Sequence, residues 1–211
     1  MKIALFGATG RVGHAILTLL LEKDIQVTAL VRNPEKLQPQ AGLSVLQGDA
    51  RNSKDILATL AGVDAVISAL GTDKTTVLTE SIKHIISNMQ KQQVKRIITI
   101  GTAGILDSRA EPGILRYQSS ESKRKSTKAA KEHHKVYDLL SDTTLEWTIV
   151  CPTYLPTGAS TAEFTVLRNK LPEGAEQTTT GDTAMFTVNE LLKTEYIGYR
   201  VGIMSPSLGE N

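Results

Sequence analysis

A glycine-rich turn near the start of the sequence has a spacing that suits phosphate binding. Gly7, Gly10 and Gly13 lie three residues apart, between an apolar run at 2–6 and a helical pattern at 12–22. In this setting the first glycine permits a tight turn, the second lets the backbone approach a pyrophosphate, and the third allows close helix-on-strand packing. The spacing differs from the G-x-G-x-x-G fingerprint, so its position after the first strand carries the prediction of a dinucleotide site.

A basic residue follows the second predicted strand, where folds that bind NAD usually have an acid. Arg32 comes directly after the apolar run at 26–31, whereas an Asp or Glu there would hold the ribose 2′-hydroxyl. A guanidinium matches the 2′-phosphate of NADP, and Lys36 could add a second cation. We therefore expect a preference for NADP, the alternative being an ordinary solvated strand-end arginine.

Two further strand ends carry residues that fit a dinucleotide. After the third predicted strand, the Asp49 carboxylate and the next N–H could face the adenine ring, and after the fourth the chain must pass close to the cofactor. A turn cap and an ordinary turn glycine are the alternatives. The expected cofactor contacts are Gly7, Thr9, Gly10, Arg11, Val12, Gly13, Arg32, Lys36, Asp49, Ala50, Leu70 and Gly71.

Alternating strand and helix patterns predict a doubly wound α/β fold that would position these turns. Strand patterns fall at residues 2–6, 26–31, 44–47, 65–69, 96–100 and 146–150. Helical patterns fall at 12–22, 53–60, 75–91, 127–140 and, after a predicted cap at Asp182, at 183–193. Crossovers of this length join parallel strands rather than hairpins. We expect one domain, residues 1–211, with a parallel Rossmann sheet, flanking helices, a small C-terminal substrate lobe and an edge strand at 199–204.

Two irregular segments, at about 102–126 and 153–181, follow the fifth and sixth predicted strands. Because ligands of open parallel sheets bind outside the carboxyl ends of the strands, we expect these segments to form a substrate pocket. The stretch 116–135 holds seven basic and two acidic residues, so it could attract an anionic substrate. Plain surface loops and a solvated basic face are the alternatives.

The composition narrows the class of protein. The chain has 211 residues, 40% of them hydrophobic, which is enough for one compact domain. The net charge of +2 argues against binding nucleic acid or a membrane surface through bulk charge. No apolar run could span a bilayer, no leader pattern is present, and Cys151 is the only cysteine. We expect a cytoplasmic monomer or dimer that binds a small molecule and no metal.

The motifs taken together resemble those of the atypical short-chain dehydrogenases/reductases. In order, they are Gly-Ala-Thr-Gly at 7–10, Val-Arg at 31–32, Gly-Asp at 48–49, Gly-Val-Asp-Ala-Val at 62–66 and Ala-Leu-Gly at 69–71. Within that superfamily the chain resembles the NAD(P)H-binding group that contains flavin reductase/biliverdin reductase B enzymes and NmrA-like proteins. The resemblance covers nearly the whole chain and implies a single-domain reductase.

The chain departs from the classical superfamily at the catalytic residues. None of its tyrosines is followed four residues later by lysine, which argues against ordinary alcohol or ketone chemistry. Hydride transfer to a flavin or tetrapyrrole gives a delocalised product that solvent can protonate. The flavin and biliverdin reductases end the fifth strand with a Thr-Ser pair, and the matching residues here are Gly101 and Thr102. The resemblance therefore makes Thr102 the candidate catalytic residue and a further cofactor contact.

These observations favour an NADPH-dependent oxidoreductase that transfers hydride to a flavin, quinone-like or tetrapyrrole acceptor. An NmrA-like redox sensor that binds NADP without turnover is the alternative, because the missing Tyr-x-x-x-Lys pair permits both. A nucleotide-sugar or isoprenoid-modifying enzyme is disfavoured by the same missing tyrosine.

Overall fold

A computed structural model describes residues 1–72, 75–122, 124 and 126–206, which form one eight-stranded sheet with helices on both faces. The strands are β1 (Lys2–Phe6), β2 (Gln26–Val31), β3 (Leu43–Gln47), β4 (Ala65–Ser68), β5 (Arg96–Ile100), β6 (Glu146–Pro152), β7 (Thr165–Arg168) and β8 (Tyr199–Met204). The helices are α1 (Arg11–Glu22), α2 (Ser53–Thr59), α3 (Val77–Gln92), α4 (Lys128–Ser141) and α5 (Thr180–Lys193). Short 3₁₀ turns span Pro34–Lys36, Ala103–Ile105 and Arg116–Gln118.

The strand order confirms the doubly wound prediction. The order is β3-β2-β1-β4-β5-β6-β8-β7, and every neighbouring pair is parallel except β7 with β8. The direction of winding reverses between β1 and β4. In sheets of this kind ligands bind outside the carboxyl ends of the strands at such a reversal, so the glycine turn after β1 stands at the expected place.

The prediction of an edge strand at 199–204 is wrong in its position, because β8 lies inside the sheet between β6 and β7. The edge is β7, which falls within the segment 153–181 that we expected to be irregular. Its four residues are mostly exposed and show no apolar alternation, so the sequence contains no strand pattern there. Only the antiparallel partner β8 makes this short segment a strand.

Both faces of the sheet are covered, as parallel strands require. Ile3 and Leu5 of β1 pack with α1 and α5 on one face, and Ala4 and Phe6 pack with α2, α3 and α4 on the other. Burying one such large apolar side chain stabilises the fold by about 1.5 to 3 kcal/mol, so the two layers hold the strand ends in fixed positions. Across the residues that the structure describes, no helix is both long and apolar enough to span a bilayer.

The start of α5 differs from the predicted cap at Asp182. Thr179 is the N-cap, and its hydroxyl accepts a hydrogen bond from the Asp182 N–H at 3.0 Å. The Asp182 carboxylate is buried and accepts from Ser160 Oγ at 2.8 Å, from the Thr161 N–H at 2.7 Å and from Ser205 Oγ. Although burial alone raises the pKa of Asp182, these hydrogen bonds bring the pKa below its usual value. Asp182 thereby attaches the chain that follows β6 to α5.

Candidate functional site

The glycine turn after β1 is packed so tightly that side chains are excluded at two positions. Gly7 has a φ of +85°, and a Cβ there would lie 2.5 Å from the Ala69 carbonyl oxygen at the end of β4. A Cβ on Gly13 would lie 2.0 Å from the Gly7 carbonyl oxygen. The first turn of α1 therefore rests directly on the loop, which is the close contact predicted for the third glycine.

The N-terminus of α1 is open to an anion. Its N-cap, Gly10, has an extended backbone and no side chain, and the first turn of α1 contains no acidic residue. The first N–H groups of a helix have no partner within the helix. Together with the helix dipole, they favour a phosphate group at this position.

A cavity of about 230 Å³, here called the glycine-turn cavity, lies along the carboxyl ends of β1 to β4. Eight of the predicted cofactor contacts line it, namely Gly7, Thr9, Gly10, Arg32, Asp49, Ala50, Leu70 and Gly71. These residues follow four different strands. The parallel sheet brings them together because all four strands end at the same edge.

Five predicted contacts lie elsewhere. The Arg11 guanidinium donates to the Leu155 carbonyl at 2.9 Å and to Thr157 Oγ1 at 3.2 Å, so it joins the glycine turn to the loop after β6. Val12 and Gly13 are buried beneath the turn, Lys36 is exposed at the end of its 3₁₀ turn, and Thr102 lines a second cavity. None of these five residues is among the described lining of the glycine-turn cavity.

Arg51 is a lining residue that the sequence reasoning missed. Its Nε and Nη2 atoms donate to the Asp49 carboxylate at 3.1 and 2.7 Å, and its backbone N–H donates to Asp49 Oδ1 at 2.9 Å. The side-chain bond from Arg51 is the main reason that the pKa of Asp49 falls to about 2, and the charge of Arg32 adds to the effect. The ionised Asp49 thus holds Arg51 at the cavity that Arg32 also lines. The sequence signal that could have identified Arg51 as a lining residue was its position shortly after the end of β3.

A second cavity of about 460 Å³, here called the tyrosine cavity, lies beyond the carboxyl ends of β5 and β6. Both irregular segments contribute to it: Thr102 and Tyr117 come from 102–126, and Tyr154 comes from 153–181. Thr102 is the N-cap of the 3₁₀ turn Ala103–Ile105, where its hydroxyl accepts from the Gly104 N–H at 3.5 Å.

Gly101, which precedes Thr102, has no room for a side chain. A Cβ there would lie 2.7 Å from Ile149 Cγ2 and 3.3 Å from Cys151 Sγ on the neighbouring strand β6. Burial raises the pKa of the Cys151 thiol to about 12, so the thiol remains protonated at neutral pH. Thr102 lines the tyrosine cavity and carries a hydroxyl, whereas Gly101 and Cys151 are not among its described lining residues.

Charges on the wall of the tyrosine cavity are mixed rather than uniformly basic. Arg116 pairs with Glu121 at 2.6 Å, and both residues line the cavity with Arg124 and Glu176. Lys123 and Lys125, which belong to the predicted basic stretch, lie outside the described residues. Among the described lining residues, two cations therefore face two carboxylates.

Tyr117, which lines the tyrosine cavity, is hydrogen-bonded to a residue outside the described lining that no sequence pattern placed near it. Tyr117 Oη lies 3.0 Å from His134 Nδ1, and His134 Nε2 lies 3.4 Å from Asp138 Oδ1. Tyr117 and His134 are 17 residues apart, on a 3₁₀ turn and on α4. Periodicity within one element cannot reveal a contact between two elements, and no signal in the sequence pointed to this one.

The glycine turn at the reversal of the sheet, with its cavity along four strand ends, defines a dinucleotide-binding Rossmann protein. The chain matches the model of the NAD(P)H-binding family over residues 7–194, and it belongs to that family. This result confirms the resemblance drawn from the motifs.

Similar proteins match this chain along nearly its whole length. The uncharacterized protein YwnB of Bacillus subtilis (strain 168) is 26% identical over 213 residues, which cover 97% of this chain and 99% of YwnB. A solved Burkholderia pseudomallei protein, provisionally described as exported, is 28% identical with a TM-score of 0.84, covering 97% and 100% of the two chains. A solved Streptococcus pneumoniae TIGR4 protein, provisionally described as an NADH-flavin reductase, is 26% identical with a TM-score of 0.81, covering 97% and 99%.

Proposed function

We propose that this protein is an NADPH-dependent reductase that transfers hydride to a flavin, quinone-like or tetrapyrrole acceptor. The observation that supports this proposal is the pair of cavities at one edge of one sheet. The glycine-turn cavity lies over β1 to β4, and the tyrosine cavity lies over β5 and β6, with β5 next to β4 in the sheet. A dinucleotide with its pyrophosphate at the glycine turn has room to extend towards Thr102 and an acceptor there.

The preference for NADPH rests on two arginines. Arg32 and Arg51 both line the glycine-turn cavity, and Asp49 orients Arg51. A charge-assisted hydrogen bond to the 2′-phosphate contributes about 1.5 to 3 kcal/mol, which corresponds to roughly a 10- to 150-fold preference over NADH per contact. The desolvation of each guanidinium subtracts from that preference.

The choice of acceptor rests on the second cavity and on one relative. A volume of about 460 Å³ suits a drug-sized planar molecule, and aromatic side chains at Tyr117 and Tyr154 suit ring stacking. The Streptococcus pneumoniae relative is provisionally described as an NADH-flavin reductase, which supports the flavin among the three acceptor classes. When bound, a reduced nicotinamide would supply the hydride, and the chain would bind and orient both molecules.

The test begins with binding and continues with turnover. Titration calorimetry with NADPH and NADH should show tighter binding of NADPH, and NADPH oxidation should be measured with FMN, riboflavin, menadione and biliverdin. Turnover with at least one of these acceptors is expected. Tight NADPH binding without turnover of any acceptor would contradict the reductase proposal and favour a redox sensor that works through a protein partner.

A further inference from the structure

The hydrogen bond between Tyr117, which lines the tyrosine cavity, and His134 leads from the cavity towards solvent. Tyr117 is partly buried and lines the cavity, His134 Nδ1 is 3.0 Å from its hydroxyl, and Asp138 on the far side of the imidazole is exposed. Asp138 follows His134 by one helical turn on α4, which brings its carboxylate to 3.4 Å from Nε2, the ring nitrogen that Tyr117 does not contact. The three side chains therefore form a relay with one end in the cavity and the other in water.

A backbone hydrogen bond and close packing against Gly104 hold the turn that carries Tyr117. The Arg116 N–H donates to the Leu106 carbonyl at 2.8 Å, which attaches the tyrosine's 3₁₀ turn to the end of the preceding one. Gly104 lies below, where a Cβ would be 3.4 Å from Tyr117 Cβ and 3.2 Å from Ala130 Cβ. Thr102, Gly104 and Tyr117 therefore line the same cavity at the carboxyl end of β5.

We propose that Tyr117 is the catalytic proton donor of this site, with His134 and Asp138 as positioning residues. The inference rests on the proposed reductase function and extends its substrates to aldehydes and ketones. A phenol hydrogen-bonded to an imidazole, which is itself oriented by a carboxylate, is an arrangement suited to general acid catalysis. Such an acid is required when hydride addition leaves a localised alkoxide, and no tyrosine in the chain has a lysine four residues later to form the usual pair.

Proton transfer from Tyr117 would accompany hydride addition to a carbonyl acceptor. When bound, a reduced nicotinamide would supply the hydride that forms a C–H bond at the carbonyl carbon, and the π pair of the C=O bond would move to oxygen. That oxygen takes the Tyr117 hydroxyl proton as the phenolic O–H bond breaks. His134 then passes a proton from Nδ1 to the phenolate oxygen. Nε2, on the side of the imidazole near exposed Asp138, takes a proton from solvent, leaving an alcohol and the two-electron-oxidised dinucleotide.

A purely structural interpretation would have the Tyr117 hydroxyl only tether its loop to α4. The two interpretations predict different effects when the hydroxyl is removed. Loss of a tether would slow every reaction in the cavity, whereas loss of a proton donor would slow only the reduction of acceptors whose product requires a proton at the moment of hydride transfer. Flavin reduction serves as the internal reference, because the reduced isoalloxazine is delocalised.

The experiment compares two conservative variants of the full-length protein. Y117F removes the cavity hydroxyl and keeps the ring, and Y137F is the matched control because Tyr137 stacks on His134 at 6.5 Å but does not line the cavity. NADPH oxidation is measured with 4-nitrobenzaldehyde and, separately, with FMN. For Y117F we expect the ratio of kcat for the aldehyde to kcat for FMN to fall about 100-fold, with KM for the aldehyde changed less than about threefold. Y137F should behave as wild type with both acceptors.

A second measurement needs neither cofactor nor turnover. In the free protein, the ¹⁵N NMR signal of His134 Nδ1 should lose its hydrogen-bonded character in Y117F and keep it in Y137F.

With the aldehyde, H134Q should lower kcat about 10-fold and diminish the solvent deuterium isotope effect, while KM is retained. A loss confined to KM, or an unchanged isotope effect, would overturn the positioning role of His134.

The outcomes separate this inference from the proposed function. Equal losses with aldehyde and FMN in Y117F would show a tether and overturn the proton-donor role. Reduction of FMN by the wild type, with no turnover of any aromatic aldehyde or ketone, would overturn the inference and leave the reductase proposal standing. Failure to bind NADPH in calorimetry would instead refute the proposed function, and the inference with it.

Discussion

The glycine-turn cavity and the tyrosine cavity lie at the same edge of one sheet, yet they are built differently. The first is formed by backbone at successive strand ends, where Gly7 and Gly13 exclude side chains and α1 presents its open N-terminus. The second is formed by side chains from two irregular segments and α4, joined by contacts such as that between Tyr117 and His134. A cavity formed by closely packed backbone tolerates almost no added side-chain volume, whereas a cavity formed by side chains can change its chemistry through a single substitution. We therefore expect dinucleotide binding and the proposed choice of acceptor to respond to different substitutions.

The largest expected effect belongs to the backbone site. Gly13→Ala would place a Cβ 2.0 Å from the Gly7 carbonyl oxygen, so the helix must move away from the turn. We expect a loss of about 3 kcal/mol or more in the free energy of unfolding, because overpacking against backbone relaxes poorly. Urea unfolding measures it. Gly158→Ala is the control, since its Cβ would lie an ordinary 3.4 Å from Thr179 Cγ2; equal losses in both variants would contradict the close contact.

The preference for NADPH over NADH should depend on the positive charges that line the glycine-turn cavity and much less on those outside it. Arg32→Glu should lower the ratio of NADPH to NADH affinity by about 10- to 150-fold, because it removes a guanidinium and adds a like charge to the 2′-phosphate. Lys36→Glu makes the same change of charge at an exposed residue outside the described lining, and should alter the ratio less than about threefold. Calorimetry with both dinucleotides measures the ratio. An unchanged ratio in Arg32→Glu would place the 2′-phosphate elsewhere.

As the pH falls, we expect the protein to lose stability through His133 on α4 at a higher pH than the Asp49–Arg51 ion pair at the glycine-turn cavity is disrupted. Burial lowers the pKa of His133 on α4 from 6.5 to about 4, against a smaller opposing effect of Glu132. Between these values the unfolded chain binds more protons than the folded one, so stability falls as the pH decreases from 6.5 towards 4. The loss attributable to His133 between pH 7 and 4.5 is about 2 kcal/mol.

Urea unfolding of wild type and His133→Gln at both pH values isolates this contribution. The wild type should lose about 2 kcal/mol more than the variant. Asp49, whose pKa is about 2, stays ionised throughout this range, so its ion pair with Arg51 persists. Equal acid sensitivity of the two proteins would show that His133 is not held neutral by burial.

The smallest expected effect concerns the charge of the acceptor. Arg124 lines the tyrosine cavity and is exposed, so Arg124→Glu should raise KM for FMN up to about fivefold and leave KM for uncharged riboflavin unchanged. Lys131→Glu, at an exposed residue of α4 outside the described lining, is the matched control. Equal changes for the two flavins would show that Arg124 does not act through charge.

Much of the fold and of the glycine-turn cavity followed from local patterns. Among the described residues, seven of the eight strands and all five helices lie at, or within a few residues of, their predicted positions, because each has a periodic apolar pattern. The exceptions have physical reasons. Strand β7 is exposed and exists through its pairing with β8, and the cap of α5 is Thr179 because the Asp182 carboxylate is used by Ser160, Thr161 and Ser205.

Within the cavities, the sequence by itself determined the parts that depend on backbone. A glycine spacing after the first strand specifies a turn without side chains, and parallel strands necessarily bring their carboxyl ends to one edge. Arg32 follows from the same logic, as a residue one position beyond a strand.

Tertiary structure alone decided where the longer side chains point. Arg11 bonds to Leu155 and Thr157 instead of lining the glycine-turn cavity, and Arg51 is fixed there by Asp49. The meeting of Tyr117 with His134 depends on how a loop after β5 packs against α4. Such contacts join residues with no fixed spacing in the chain, so they are set by packing and hydrogen bonding in the folded protein.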